Sequence, residues 1–158
     1  MPPPLLFNLA EVDLQQVCLD QAQIYEHLPQ RHEFMLLQTV CHVDTERRRL
    51  VCFRDIEADG WWFRGHVPGR PLLPGVVMLE MAAQASALLA KLVMGYEEFL
   101  VFGGVDNGKF RETVKPGARL YVLAVSRDIR PRRVVSDVQG VVEGKLIFEA
   151  SVTGMMAR

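Results

Sequence analysis

Two side chains suited to proton transfer, His66 and Glu80, lie fourteen residues apart in this sequence. Imidazole and carboxyl groups are common general acids and bases. Gln84 follows Glu80 by four residues, so on a helix its amide would share a face with the carboxyl group. Gly75 lies near the expected start of that helix, where backbone N–H groups lack an intrahelical acceptor and a carbonyl can approach closely. A base, an acid and such an N–H can together remove a proton next to a carbonyl group.

Each of these residues also has a purely structural interpretation. A carboxylate at position 80 fits a solvent-facing edge or a structural hydrogen bond, and a single loop histidine is most often simply exposed. The chemical interpretation is favoured by the setting of His66, because residues 65–75 contain three prolines and three glycines and form an ordered loop. Burying Glu80 without a partner would favour its protonated form, which is the form a general acid needs.

The element that must position Glu80 is a long helix. Pro74 suits the first helical position, and good helix formers follow without a breaker until Gly95. About 20 residues at 1.5 Å each give a helix of roughly 30 Å. It is apolar almost all round, so we expect it to be buried. Upstream, Asp20 is a plausible N-cap for a short helix, 21–27, which Leu28-Pro29 ends.

Strand-like runs rich in branched and aromatic residues flank this helix on both sides. Turns are expected at Pro116-Gly117 and at Glu143-Gly144. One long buried helix followed by four sequential strands predicts an α+β domain in which an antiparallel sheet wraps around the central helix. The expected strands are Phe34–Val43, Arg49–Ile56, a short Trp61–Phe63, Phe99–Val105, Ala118–Val125, Val134–Val142 and Leu146–Val152.

Length, composition and charge limit which classes of protein this chain can belong to. A chain of 158 residues fits one domain, which we assign to residues 20–158, with residues 1–19 as an extension that is weakly helical around 11–19. With 49% hydrophobic residues and a net charge of -1, the chain is not largely disordered. A pI near 6.4 argues against nucleic-acid binding. The most apolar segment, 76–94, is interrupted by polar residues, so no membrane span is expected. Three cysteines without a C-x-x-C pair favour a reducing cytoplasm.

The C-terminal third is basic, with ten lysines and arginines against five acidic residues in 109–158. Arg130, Arg132 and Arg133 flank Pro131 in an expected turn. A solvated charged turn needs no function, but guanidinium groups are also suited to binding an acidic partner.

The segment GHVPGRPLLPGVVMLEMAAQ, residues 65–84, closely resembles the signature of the 3-hydroxyacyl-acyl-carrier-protein dehydratases, the FabZ-type members of the hotdog fold. In that signature a histidine precedes a proline-rich spacer, with a glutamate fourteen residues on and a glutamine four beyond it. LPQRHEF at 28–34, FGGVDNGKFRETVKPG at 102–117 and the final EGKLIFEASVTGMMAR resemble three further segments of the family. The resemblance covers residues 20–158.

The resemblance implies a hydro-lyase of fatty-acid biosynthesis. Its members convert a (3R)-hydroxyacyl thioester on acyl carrier protein to the trans-2-enoyl thioester, with no metal or organic cofactor. By analogy His66 acts on the C2 proton, Glu80 protonates the departing C3 hydroxyl, the Gly75 N–H holds the thioester oxygen and Gln84 helps to fix Glu80.

The resemblance also implies how the chain assembles. In the family the histidine and the glutamate come from different subunits of a homodimer, and dimers often join into trimers of dimers. The acidic surface of the carrier protein makes the arginines at 130, 132 and 133 a candidate docking site.

Two alternatives stay open. A hotdog acyl thioesterase would also place a carboxylate on the central helix, although that class lacks the proline-rich histidine loop. A non-catalytic acyl-binding relative is the other, and retention of His66, Gly75 and Glu80 argues against it. Val67 stands where the family usually has phenylalanine, and Gln30 replaces a usual histidine. These departures bear on acyl chain length and on the carrier, and leave the His/Glu/Gly set intact.

Overall fold

A computed structural model describes residues 1–157 and contains three α-helices and one six-stranded sheet in that range. Short 3₁₀ turns occupy Leu9–Glu11 and His32–Phe34. The helices are α1 (Gln21–His27), α2 (Phe63–His66) and α3 (Gly75–Met94). The strands are β1 (Thr39–Asp44), β2 (Arg49–Asp55), β3 (Leu100–Phe110), β4 (Arg119–Arg130), β5 (Arg133–Val142) and β6 (Lys145–Met156).

The sheet is antiparallel throughout, with the strand order β1-β2-β4-β5-β6-β3. β1 and β3 are therefore its two edges. The predicted turn between β5 and β6 is confirmed: Glu143 and Gly144 have φ of 50° and 75°. Two successive positive φ values match the twist of a tight hairpin, and Gly144 adopts its value without strain.

Helix α3 lies against the inner face of the sheet and contacts β2 to β6. Met81, Ala85, Leu88 and Leu89 on this helix are fully buried, and so is Phe148 of β6 in the same cluster. Within the described residues, α3 is the one helix long and apolar enough to cross a membrane. Because 56% of it is buried inside the fold, its apolar character is explained by its place in the core.

Three local predictions need correction. The expected strand at Trp61–Phe63 is wrong, because Phe63 begins α2 and Trp62 is buried with its ring edge-on to that of Phe63. Residues 35–38 are not in a strand, so β1 begins at Thr39 rather than at Phe34. The weak helix expected around 11–19 does not form. In contrast, α1 has the expected Asp20 cap, which accepts from Gln23 N at 2.9 Å.

The N-terminal segment, residues 1–14, covers the outer face of the sheet. Phe7 is 7% exposed, with the guanidinium of Arg49 5.0 Å from its ring centroid. The Gln139 side chain holds the segment by donating to Pro4 O at 3.1 Å and accepting from Leu6 N at 2.8 Å. The outer face is therefore covered across β1, β2, β4 and β5, whereas most of β3 is exposed. The outer cluster joins Leu5, Leu6, Phe7, Leu9, Val12 and Leu14 to Cys41, Val51, Phe53, Leu123, Val141, Tyr121 and Val125.

Candidate active site

Glu80 lies in the second turn of α3 and is partly buried. Its Oε1 accepts a hydrogen bond from Nε2 of Gln84 at 2.9 Å, one helical turn further on. Gln84 itself is 1% exposed. The four-residue spacing therefore does what the sequence predicted: it pairs an amide donor with the carboxyl group on one face of the helix.

The Gln84 amide is also held by groups from outside its helix. Its Nε2 donates to Phe34 O at 2.9 Å, and its Oε1 accepts from the hydroxyl of Tyr25 at 2.6 Å. That hydroxyl accepts in turn from Leu37 N at 2.8 Å. Tyr25 was missed by the sequence reasoning. The signal was a tyrosine on the buried side of a capped helix, since a buried phenol normally requires a hydrogen-bond partner.

The start of α3 offers free backbone donors. Val77 N and Met78 N both donate to Pro74 O, at 3.1 and 3.3 Å. Within residues 1–157 the Gly75 N–H has no acceptor, as expected for the first turn of a helix. The positive end of the helix dipole adds to this site, so the Gly75 N–H can polarise a carbonyl oxygen that comes within hydrogen-bond distance.

His66 is the last residue of α2 and is exposed. Its Nδ1 lies 3.0 Å from Leu72 O. A carbonyl oxygen only accepts, so Nδ1 carries the hydrogen and the neutral ring keeps a lone pair on Nε2. The loop that follows is tied down at its end, where Leu73 N donates to Val114 O at 2.9 Å. The ring is thus oriented as a base would need to be.

A cavity of about 260 Å³ lies beside Glu80 and Gln84, and neither His66 nor Gly75 lines it. It runs along α3 towards the beginning of β3, and its lining mixes apolar with polar side chains. A single chain therefore brings Glu80 and Gln84 together at the cavity but does not bring His66 to it. The lining comprises Pro29, Gln30, Glu80, Ala83, Gln84, Ser86, Ala87, Phe99, Leu100, Val101, Phe102, Val152, Thr153 and Gly154.

The arginines at 130, 132 and 133 lie at the β4–β5 turn. Arg130 pairs with Asp128 at 3.0 Å, and its carbonyl oxygen accepts from the Tyr96 hydroxyl at 2.7 Å. Tyr96 follows the C-terminus of α3, so in one chain this turn lies at the far end of the helix from Gly75, about 30 Å away. Arg132 and Arg133 are exposed and form no ion pair within the described part of the chain.

Groups of three or more His, Cys, Asp or Glu side chains that could hold a metal ion are not found among residues 1–157. Burial raises the pKa of the Cys41 thiol to about 11, so it stays a protonated apolar side chain at neutral pH.

The model of the FabA-like domain matches residues 28–151. The chain belongs to the FabA-like family. Its relatives include the 3-hydroxyacyl-[acyl-carrier-protein] dehydratase FabZ of Thiobacillus denitrificans, 30% identical over 85% of this chain and 94% of that protein. FabZ of Tolumonas auensis is 35% identical over 85% of this chain and 92% of its own length. The predicted family and enzyme class, a hydro-lyase, are confirmed.

Solved structures share the fold of this FabA-like chain. The dehydratase heterocomplex ApeI:P from Xenorhabdus doucetiae superimposes with a TM-score of 0.74 at 15% identity, covering 85% of this chain and 91% of that one. A putative thioesterase from Ralstonia eutropha gives 0.63 at 17% identity, covering 75% and 83%. At such identities the likeness shows the fold alone, and the predicted hotdog architecture is confirmed.

Proposed function

We propose that this protein dehydrates (3R)-hydroxyacyl-[acyl-carrier-protein] thioesters to trans-2-enoyl thioesters in fatty-acid biosynthesis, with His66 and Glu80 as its catalytic residues. The observation that carries the proposal is the Glu80 carboxyl, fixed by Gln84 at the wall of a cavity whose apolar part is lined by residues 99–102. Such a cavity suits an acyl chain, and such a carboxyl suits transfer of one proton. The curated FabZ relatives, matched over most of their length, support the same substrate class.

In the proposed reaction, Nε2 of His66 takes the proton from C2 while the Gly75 N–H stabilises negative charge on the thioester oxygen. The electron pair then expels the C3 hydroxyl, which leaves as water after receiving a proton from Glu80. His66 returns its proton to solvent and Glu80 regains one, so the net reaction is loss of water. Each acid–base group would contribute about 10²–10⁴-fold to the rate, and the Gly75 donor about 3 kcal/mol.

The free edge of β3 supports a site built from two copies of the chain. β3 pairs on one side only, with β6, and its exposed side chains include Val101, Phe102 and Phe110 at 44–49% exposure. An apolar unpaired edge is a template for another strand. Two-fold symmetric pairing of such edges runs antiparallel, so the end of one β3 would lie beside the beginning of the other.

This antiparallel pairing would bring His66 and Gly75 of one copy to the Glu80 cavity of the other. The cavity is lined by residues 99–102 at the beginning of β3, whereas Phe110 at its end lies against Gly75 of its own chain. The second copy's Gly75, and the His66 loop with it, would therefore reach the cavity. We accordingly infer a homodimer in which one copy supplies His66 and Gly75 and the other supplies Glu80 and Gln84.

The same reversal bears on carrier docking. It would bring the β4–β5 turn of one copy to the end of the dimer where the other copy's His66 loop lies. Arg132 and Arg133 would then face the route by which an acidic carrier protein delivers its acyl group. Arg130 belongs to this docking surface through its position in the turn. We further propose a cytoplasmic location, a dehydratase domain at residues 20–158 with the extension 1–19, and association of three dimers into a trimer of dimers.

The test is hydration of a trans-2-enoyl thioester, the reverse reaction, followed by loss of enoyl absorbance with free thiol monitored in parallel. Wild type is expected to hydrate, and His66→Ala and Glu80→Gln are each expected to lose about a hundredfold or more. His27→Ala and Glu46→Gln, which lie outside the cavity, are the matched controls. Thiol release without hydration would instead identify a thioesterase. If neither hydration nor thiol release is detected, on carrier-linked and on coenzyme A substrates, the protein would be a non-catalytic acyl-binding relative.

A further inference from the structure

Tyr25 is buried on α1, at 3% exposure, and is not part of the cavity lining. Its hydroxyl nevertheless has two well-formed partners, accepting from Leu37 N at 2.8 Å and donating to Gln84 Oε1 at 2.6 Å. A backbone N–H can only donate, so of these two partners only Gln84 can accept the hydroxyl proton. A main-chain group thereby sets the direction of a side-chain hydrogen bond in the core.

This direction decides which way the Gln84 amide faces. With Oε1 turned to Tyr25, the NH₂ group faces two acceptors, Glu80 Oε1 and Phe34 O, each at 2.9 Å. In the opposite orientation the amide oxygen of Gln84 would face Glu80 Oε1 and Phe34 O, neither of which would have a donor there. Its NH₂ group would face the Tyr25 hydroxyl, which would then lose the acceptor of its proton. Buried polar atoms without a partner are costly, so one orientation is selected.

We propose that Tyr25 is a positioning residue for the dehydration, acting through the Gln84 amide on the Glu80 carboxyl group. Within the described residues Gln84 is the one hydrogen-bond partner of Glu80, and it binds Oε1. Holding Oε1 leaves the second carboxyl oxygen to deliver its proton to the substrate hydroxyl. The inference rests on the proposed function, since it concerns the same carboxyl group.

The phenol is suited to this role because it keeps its proton at neutral pH. Burial raises the pKa of Tyr25 well above its ordinary value, so the hydroxyl remains a donor. The hydrogen bond from Leu37 N opposes that shift without cancelling it. Tyr25 is therefore a fixed donor that does not itself exchange protons during turnover.

The first test is Tyr25→Phe, which keeps the ring and removes the hydroxyl. Because Tyr25 does not contact the cavity, kcat of hydration is expected to fall roughly tenfold while KM stays within about twofold. In a Gln84→Met background the same change is expected to leave kcat unaltered, because the amide that Tyr25 orients is gone. Tyr121→Phe, on the outer face of the sheet beside Phe53, is the matched control. An unchanged kcat in Tyr25→Phe, or an equal loss in both backgrounds, would overturn the proposal.

A second measurement does not depend on activity. The side-chain amide NMR signals of Gln84, assigned by their absence in Gln84→Met, are expected to be distinct and slow to exchange in wild type. They are expected to shift and exchange faster in Tyr25→Phe and to be unmoved in Tyr121→Phe. Unmoved signals in Tyr25→Phe would overturn the positioning role even in an active enzyme. Shifted signals in a protein that hydrates no thioester would support the contact while the proposed function fails.

Discussion

Phe110 lies directly against Gly75 at the beginning of the central helix: a Cβ added to this glycine would come within 3.0 Å of the phenylalanine ring. The end of the free strand edge and the helix terminus that could polarise a thioester are thus in contact. Any association through β3 would place its strand pairing next to the Gly75 N–H.

Gly75→Ala is expected to lower hydration activity by about tenfold or more without loss of stability, since alanine suits a helix and the half-exposed Phe110 ring can move. The methyl group would press on the Phe110 ring, beside the N–H that the thioester oxygen would approach. Gly95→Ala is the contrasting control, because Gly95 ends α3 at φ 67°. It should cost roughly 1 kcal/mol of unfolding free energy and leave turnover unchanged. Hydration rates and thermal melts would distinguish the two variants, and full activity of Gly75→Ala would contradict a close approach of the thioester to this end of the helix.

Mixing His66→Ala with Glu80→Gln is expected to restore activity. Random exchange of subunits makes half of the dimers mixed, each with one intact site, so recovery should approach about a quarter of wild type. The two variants would be unfolded together, refolded and assayed for hydration. No recovery, with mixed dimers demonstrated by mass spectrometry, would mean that each site is formed within one chain.

Arg132→Glu combined with Arg133→Glu is expected to raise KM for a carrier-linked substrate about tenfold at low salt, because it places acidic groups against an acidic partner. KM for the coenzyme A thioester should stay the same. The control is Arg47→Glu combined with Arg48→Glu in the β1–β2 turn, which makes the same change in net charge at a different turn. An equal effect of both pairs would point to net charge rather than docking.

Phe7→Ala is expected to lower the free energy of unfolding by roughly 2–4 kcal/mol, because the ring is almost fully buried on the outer face of the sheet. Turnover per folded molecule should not change, since the N-terminal segment lies on the opposite side from the cavity. Urea denaturation gives the measurement. Val17→Ala, at a position 64% exposed, should stay within about 0.5 kcal/mol of wild type. A Phe7→Ala variant as stable as wild type would show that the segment is not packed in solution.

Asp55 and Arg119 give stability a predictable pH dependence. The hydrogen bond and charge of Arg119 hold the pKa of Asp55 below its usual range. A lowered folded-state pKa stabilises the fold above the unfolded pKa of about 3.9, and this is lost as pH falls through the folded value. Arg119→Met should therefore cost at most about 1 kcal/mol at pH 7, since the pair is well exposed. The difference from wild type should shrink in urea denaturation below about pH 3.

A difference in stability that stayed constant with pH would have another origin. The Arg119 guanidinium also lies 4.0 Å from the centroid of the Phe53 ring, and that contact does not titrate with Asp55.

The sequence was sufficient wherever the deciding geometry is local. Glu80 and Gln84 share a face because four residues make about one helical turn, whatever surrounds the helix. Glu143-Gly144 makes a hairpin because a two-residue turn needs positive φ values, and glycine supplies one without strain. The length and burial of α3 followed from uninterrupted helix formers that are apolar on almost every side.

The tertiary structure decided what depends on distant segments. β3 continues to Phe110, beyond the predicted end at Val105, because β6 pairs with its polar half, as in Asp106 opposite Ser151. Aromatic residues at 61–63 resemble a strand in sequence, but packing makes them a turn that leads into α2 at Phe63. Tyr25 meets Gln84 across 59 residues of chain. Hydrophobic periodicity specifies which faces are buried. The hydrogen-bond or packing partner of each buried group is set only when the sheet packs against the helix, because that packing brings together segments that are distant in sequence.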